Sequence, residues 1–121
     1  MIPVGAVIRT ADNSGANKLK VINIPGSAKK SAIIGDIITC AVKGADSTGY
    51  VKDHSVVKAV LVRTRKEIRR KDGSYIRFDD NAAIVINKDK QMVGTRVFGP
   101  IAREIRDLGY LKVASLAKEV L

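Results

Sequence analysis

The sequence has one cysteine, one histidine and no tryptophan, and only five aromatic residues in 121. A single thiol excludes an internal disulfide framework and any zinc site built on several thiolates. A single histidine excludes a two-histidine metal centre. Prolines number three, and no Pro/Gly/Ser-rich stretch offers a linker at which to divide the chain. No apolar run approaches the ~20 residues that span a bilayer. The opening MIPVGAVIRT lacks a basic segment followed by an apolar one, so it does not read as a signal peptide. Acids are also scarce: 12 Asp and Glu stand against 22 Lys and Arg, a formal net charge of +10. The hydrophobic content of 45% is ordinary for a globular chain. A chain of this length buries about 65% of the surface its unfolded form exposes, enough for a core without staples. These features predict one intracellular domain over residues 1–121. Its excess charge favours a polyanion as partner: RNA, DNA or an anionic membrane surface.

Residues 1–98 read as short strands rich in Val and Ile, at 4–10, 18–24, 36–42, 56–65, 75–78 and 82–86. Turn chemistry separates them: Asp12-Asn13-Ser14-Gly15, Pro25-Gly26-Ser27, the stretch 44–49, Asp72-Gly73 and Asp79-Asp80-Asn81. No helix-length periodic segment lies between strands, which argues against a βαβ design and for an antiparallel barrel or sandwich. Residues 99–121 differ. Ile101, Ile105 and Leu108 recur at helical spacing, with Pro100 placed for a first turn and Gly109 for a stop. A second short helix is expected at 114–118. The expected picture is a mainly β fold, a small β-barrel carrying short C-terminal helices packed on it.

The positive charge is uneven. Nine of the 22 basic residues fall between Lys52 and Arg77, densest in RTRKEIRRKDGSYIRF at 63–78. Asp72-Gly73 there predicts a two-residue hairpin turn. If the strand period holds, Arg63, Arg65, Arg69 and Lys71 share one face, and Lys66 and Arg70 share the other with Ile68. Charge on both faces predicts a ribbon that projects past the barrel. An edge strand guarded against aggregation needs one or two lysines. Here six cations stand with only Glu67 among them, and four of the six are arginines, whose planar fork grips phosphate in two-point fashion. Arg69, Arg70 and Lys71 are expected to matter most for RNA affinity. Tyr75 and Phe78 are three positions apart and face opposite sides of a regular strand, so no stacking platform for single-stranded bases is visible. Recognition of folded RNA through phosphate, 2′-hydroxyl and shape fits better. A cold-shock-type single-strand binder would need the missing aromatic face. A membrane role would need a longer amphipathic helix.

Three places carry residue types found in catalytic sites. Lys52-Asp53-His54-Ser55 contains triad residue types, but neighbours on an extended chain point in different directions. Cys40 lies inside an apolar strand, as a buried structural thiol does. Asp79-Asp80-Asn81 has the composition of a turn more than of a magnesium site. No phosphate-binding loop or dinucleotide fingerprint occurs. The sequence reads as a chain with no catalytic residues, no metal site and no cofactor. Asn13 and Ser14 carry donors suited either to RNA or to a self-bonded turn.

Several pieces together resemble one family. They are ADNSGA at 11–16, GDIITCAVK at 35–43, VVKAVLVRTRKEIRRKDGSYIRFDDNAAIVI at 56–86, GTRVFGPIAREIRD at 94–107 and SLAKEVL at 115–121. In this order they resemble ribosomal protein fourteen of the large subunit, in its bacterial or organellar form. The resemblance implies a five-stranded antiparallel β-barrel with a protruding β-ribbon and a short C-terminal helical part. It also implies a structural protein of the large ribosomal subunit, located in the cytoplasm within the ribosome, or in an organellar ribosome. Implied partners are large-subunit rRNA, small-subunit rRNA through intersubunit bridges, ribosomal proteins three and nineteen of the large subunit, and a ribosome-silencing factor. The family segment for that last contact is similar to Thr95, Arg96 and Lys112. Candidate rRNA-binding residues are Lys43, Lys52, Arg63, Arg65, Lys66, Arg69, Arg70, Lys71 and Arg77, with Asn13 and Ser14. Two departures stand out: Lys52-Asp53-His54 replaces a common Lys-Lys-Gly, and Ala117-Lys118-Glu119 replaces Ala-Pro-Glu.

Overall fold

The computed structural model describes residues 2–25 and 31–121. Among the described residues nine strands precede two helices: β1 (Ile2–Pro3), β2 (Val7–Thr10), β3 (Ala16–Asn23), β4 (Ser31–Ala32), β5 (Ile37–Ala45), β6 (Val56–Arg63), β7 (Ile68–Arg69), β8 (Tyr75–Ile76), β9 (Ala82–Ile86), α1 (Arg103–Asp107) and α2 (Leu111–Leu116). Five of them close a barrel in the order β2-β3-β5-β6-β9. The expected fold class holds, with one difference in detail. Four seams are antiparallel, but β2 and β9 pair in parallel, Arg9 opposite Ala82 and Thr10 opposite Ala83. Strand directions cannot alternate around a closed ring of five, so one seam must join like directions. β1 pairs with β4, and β7 with β8, outside the barrel. Of the expected Pro25-Gly26-Ser27 turn, Gly26 and Ser27 lie outside the described residues.

The strands fall into two kinds, and the sequence distinguishes them. In β3 and β5 apolar and polar positions alternate, so Leu19, Val21, Ile38, Cys40 and Val42 point into the barrel and their neighbours point out. β6 ends in an unbroken buried run from Ala59, and β9 is buried throughout. These two strands are covered on both faces, as near-continuous apolar runs are. Ala59, Leu61, Ala83 and Val85 face the barrel interior, whereas Val60, Val62, Ala82 and Ile84 face a second core. That second core is closed by the C-terminal segment through Ile101, Ala102, Ile105 and Val113.

The C-terminal segment corrects the expected helix. Pro100 and Ile101 precede α1 rather than opening it. The Ile101 N–H donates to Glu119 O at 3.0 Å and its carbonyl accepts from Leu121 N at 2.9 Å. With both backbone groups committed to a bridge, the helix starts only after the extended Ala102. Ile101 and Ile105 are fully buried, but Leu108 lies past the helix end and is 59% exposed. The second helix also starts earlier than expected, at Leu111.

Candidate nucleic-acid interface

The basic stretch folds into three unlike pieces. A register shift between Leu61 and Arg63 breaks the strand phase at the end of β6, and such bulges re-aim side chains. Arg63 is consequently only 8% exposed. Its Nε donates to Asp80 Oδ1 at 2.6 Å and its Nη2 to Oδ2 at 3.2 Å, a two-point pair. Its Nη1 donates to the carbonyls of Phe98 at 2.8 Å and Pro100 at 3.1 Å. Gly99, at φ +78°, permits this approach: a Cβ there would stand 2.8 Å from Arg63 Nη1. The Arg63 hydrogen bonds hold the Asp80 carboxyl below its ordinary value. Arg63 was expected on the RNA-facing side; the structure spends its donors inside the protein.

Arg70 is the second correction. It was expected to project with the ribbon, but its side chain is mostly covered, with Nη2 3.0 Å from Glu104 Oε1 of α1. The contact lacks hydrogen-bond alignment, and these atoms have no other partner. It is an ion pair that tethers the ribbon to the helix. The turn also differs from the two-residue form. Arg70 N donates to Ser74 O at 2.8 Å and Gly73 N to Arg70 O at 3.0 Å, closing a loop of Lys71, Asp72 and Gly73. Gly73 takes φ +89°, the left-handed position that three-residue hairpins place last. Asp72 Oδ1 accepts from Ser74 N and Oγ, which lowers the Asp72 carboxyl and fixes the tip.

Arg65, Lys66, Arg69, Lys71 and Arg77 are exposed, as are Lys43 and Lys52. Of the five ribbon cations only Lys66 has an ion pair among the described residues, 3.3 Å from Glu67. Arg65 and Arg77 flank the Phe78 N–H to Thr64 O bond and line a cleft of about 650 Å³ at one end of the barrel. Arg9 lines it too, and sequence reading did not single that residue out. Asn81 builds this wall: its Oδ1 accepts from Arg65 N at 2.8 Å and its carbonyl from Arg9 N at 3.1 Å. The acids in the cleft are Asp79 and Asp80, the latter held by Arg63.

Asn13 and Ser14 are the third correction. Both carry donors suited to RNA, but Ser14 is wholly enclosed and Asn13, half-buried, is engaged by the 95–96 loop. Ser14 is fully buried and its Oγ donates to Asp12 Oδ1 at 2.7 Å. Asp12 Oδ2 accepts from Val85 N at 2.9 Å, tying this turn to β9, while burial pushes the Asp12 carboxyl up. Asn13 Oδ1 accepts from Thr95 N at 2.7 Å and Arg96 N at 2.8 Å, and its Nδ2 donates to Thr95 Oγ1 at 2.8 Å. Asn13 therefore shapes the loop bearing Thr95 and Arg96. Both are exposed, as is Lys112 at the start of α2.

The Asp53-His54-Ser55 cluster is not assembled as a triad: His54 Nε2 lies 3.5 Å from Asp53 Oδ2, but the serine is turned away. Asp53 Oδ1 accepts from Gly44 N at 2.8 Å and His54 N at 2.9 Å, so this carboxylate clasps a loop. His54 is exposed at φ +62°, and Ser55 Oγ donates to the Lys52 carbonyl rather than to the imidazole. Cys40 is fully buried and burial raises its thiol to about 12, far from a nucleophile's range. Among the described residues no three His, Cys, Asp or Glu side chains are grouped for a metal ion.

The family profile described as Ribosomal protein L14p/L23e matches residues 1–121. The chain is 57% identical to "Large ribosomal subunit protein uL14" of Petrotoga mobilis over 121 residues, covering 99% of each. The chain therefore belongs to the Ribosomal protein L14p/L23e family, and is a structural, non-enzymatic constituent of the large ribosomal subunit.

Proposed function

We propose that the chain holds large-subunit rRNA through the exposed cations Arg65, Arg69, Lys71 and Arg77, with Lys66, Lys43 and Lys52 at the margins. The observation that carries this reading is the lack of ion pairs for those four among the described residues, on a chain of net charge +10. Among the described residues, only Arg77 of the four feels an acid across the ribbon, Glu67, and that acid is shared with Lys66; the excess of like charge repels itself, and a phosphate backbone removes that cost. The barrel fixes the spacing of these charges, and the Arg70–Glu104 ion pair fixes the tilt of the ribbon. Few bases are read: Tyr75 and Phe78 form no common stacking face, and the contacts are to phosphate, ribose and groove shape.

The same reading places the chain at the subunit interface, contributing to intersubunit bridges with small-subunit rRNA, beside ribosomal proteins three and nineteen. Thr95, Arg96 and Lys112 are its surface for a ribosome-silencing factor. These finer assignments rest on the family resemblance, supported by the exposure of all three side chains. The test is incorporation into large subunits when Arg65, Arg69, Lys71 and Arg77 are all changed to Gln. The reading predicts loss from the large-subunit peak after a high-salt wash. Full retention would contradict it.

A further inference from the structure

The outer face of the barrel wall carries a second set of cations that only strand register reveals. Arg9 of β2 stands directly opposite Lys18 of β3, and Lys18 directly opposite Lys43 of β5. Ile8, Leu19 and Val42 beside them point inward, so all three cations point out, and all three are exposed. Adjacent strands lie about 4.8 Å apart, so the row crosses the wall at right angles to the strands within roughly 10 Å. Like charges directly opposed on one sheet face are destabilising. No ion pair joins any of the three to an acid among the described residues. Asp80, which feels the Arg9 charge, is held by Arg63, and Asp53 is bonded to Gly44 and His54 backbone. Arg9 also lines the cleft of Arg65 and Arg77, so the row runs on from that cleft without a break.

We propose that Arg9, Lys18 and Lys43 form a phosphodiester track across the barrel wall, a grip on RNA additional to the ribbon tip at Arg69 and Lys71. The track holds one short backbone segment, led from the cleft by Arg9 and laid over β3 and β5. This rests on the RNA-binding reading, and the wall and the tip are separate footholds within it. A ligand held at both is clamped at two separated points, which fixes the barrel's orientation where a single foothold would not.

The test uses the full chain and transcribed large-subunit rRNA in filter-binding titrations against salt. One variant carries Arg9→Gln, Lys18→Gln and Lys43→Gln; a second carries Arg69→Gln and Lys71→Gln. The wall variant should fold at least as well as the parent, because repulsion is removed, and thermal melting checks this. Each lost phosphate contact makes the log–log salt slope shallower by about 0.9, so the wall variant should lose about 2 to 3 units and the tip variant about 2. A wall variant with unchanged slope beside a weakened tip variant overturns the track and leaves the RNA reading standing. Unchanged slopes in both overturn the RNA reading itself. An unchanged wall slope with poorer incorporation into subunits points to an acidic protein on that face, and also overturns the track.

Discussion

The turn at Asp12–Gly15 and the ribbon at Arg65–Arg77 are both polar, both irregular, and both rich in side-chain donors, yet the structure uses them in opposite ways. In the turn, Asp12, Asn13 and Ser14 are committed to β9 and to the 95–96 loop. In the ribbon, Arg65, Arg69, Lys71 and Arg77 have no ion pair among the described residues. Residue type therefore does not separate an exposed cation from an internal fastening; the number of donors with partners inside the fold does. Arg63 and Arg65 make the same point two residues apart. The first has three polar partners inside the fold, whereas the second presents its guanidinium to the cleft.

Breaking the internal side of this comparison should cost stability. Arg63→Ala strands the Asp80 carboxylate and the carbonyls of Phe98 and Pro100, and should lower unfolding free energy by about 3 kcal/mol. Urea denaturation measures it; a loss no larger than a surface substitution gives would place Arg63 among the free cations. Gly15→Ala should cost about 2 kcal/mol, because Gly15 sits at φ +101° and a Cβ there would stand 2.7 Å from Gly49 Cα. An unchanged melting temperature would mean that the two backbones can separate freely. Asn13→Ala removes the acceptor for two N–H groups, and about 1 kcal/mol is expected from the same titration. Hydrogen exchange at Thr95 and Arg96 should rise with it, and unaltered protection there would show that the loop holds itself.

Acid provides a finer probe. The Asp80 pKa in the fold lies below its ordinary 3.8, mainly through the Arg63 hydrogen bonds. Its contribution is present above 3.8 and is lost as pH falls through the folded value. The stability gap between the parent and Asp80→Asn should be widest near neutrality and shrink below pH 3.8. A gap that is constant across that range would detach it from the carboxylate. The smallest effect falls on the external side: Arg65→Ala should alter stability by no more than about 0.5 kcal/mol, while weakening RNA binding. A larger loss of stability would show that its guanidinium is also an internal fastener.

What was legible in the sequence follows the range of the forces involved. The barrel strands could be read because alternation in β3 and β5 and the apolar run in β9 are local signals. That β6 and β9 are covered from outside by the C-terminal segment is seen only in the fold. The fate of Arg63 could not be read, since its partners lie 17 to 37 residues away and a bulge resets its phase. Asn13 bonds across 82 and 83 residues. The Arg9–Lys18–Lys43 row is scattered over three strands, and appears only when register aligns them. The ribbon cations are the converse case: they are adjacent in sequence, and only their division into exposed and internally paired depends on the fold.

On the proposed function, the exposed cations of the barrel and its ribbon meet a phosphate backbone. The salt dependence of binding by the unmodified chain to large-subunit rRNA addresses it most directly. With about six phosphates engaged, the log–log slope should be about −5 by the duplex rule. A slope near about −1 would mean that hardly any counterions leave, contradicting the electrostatic account.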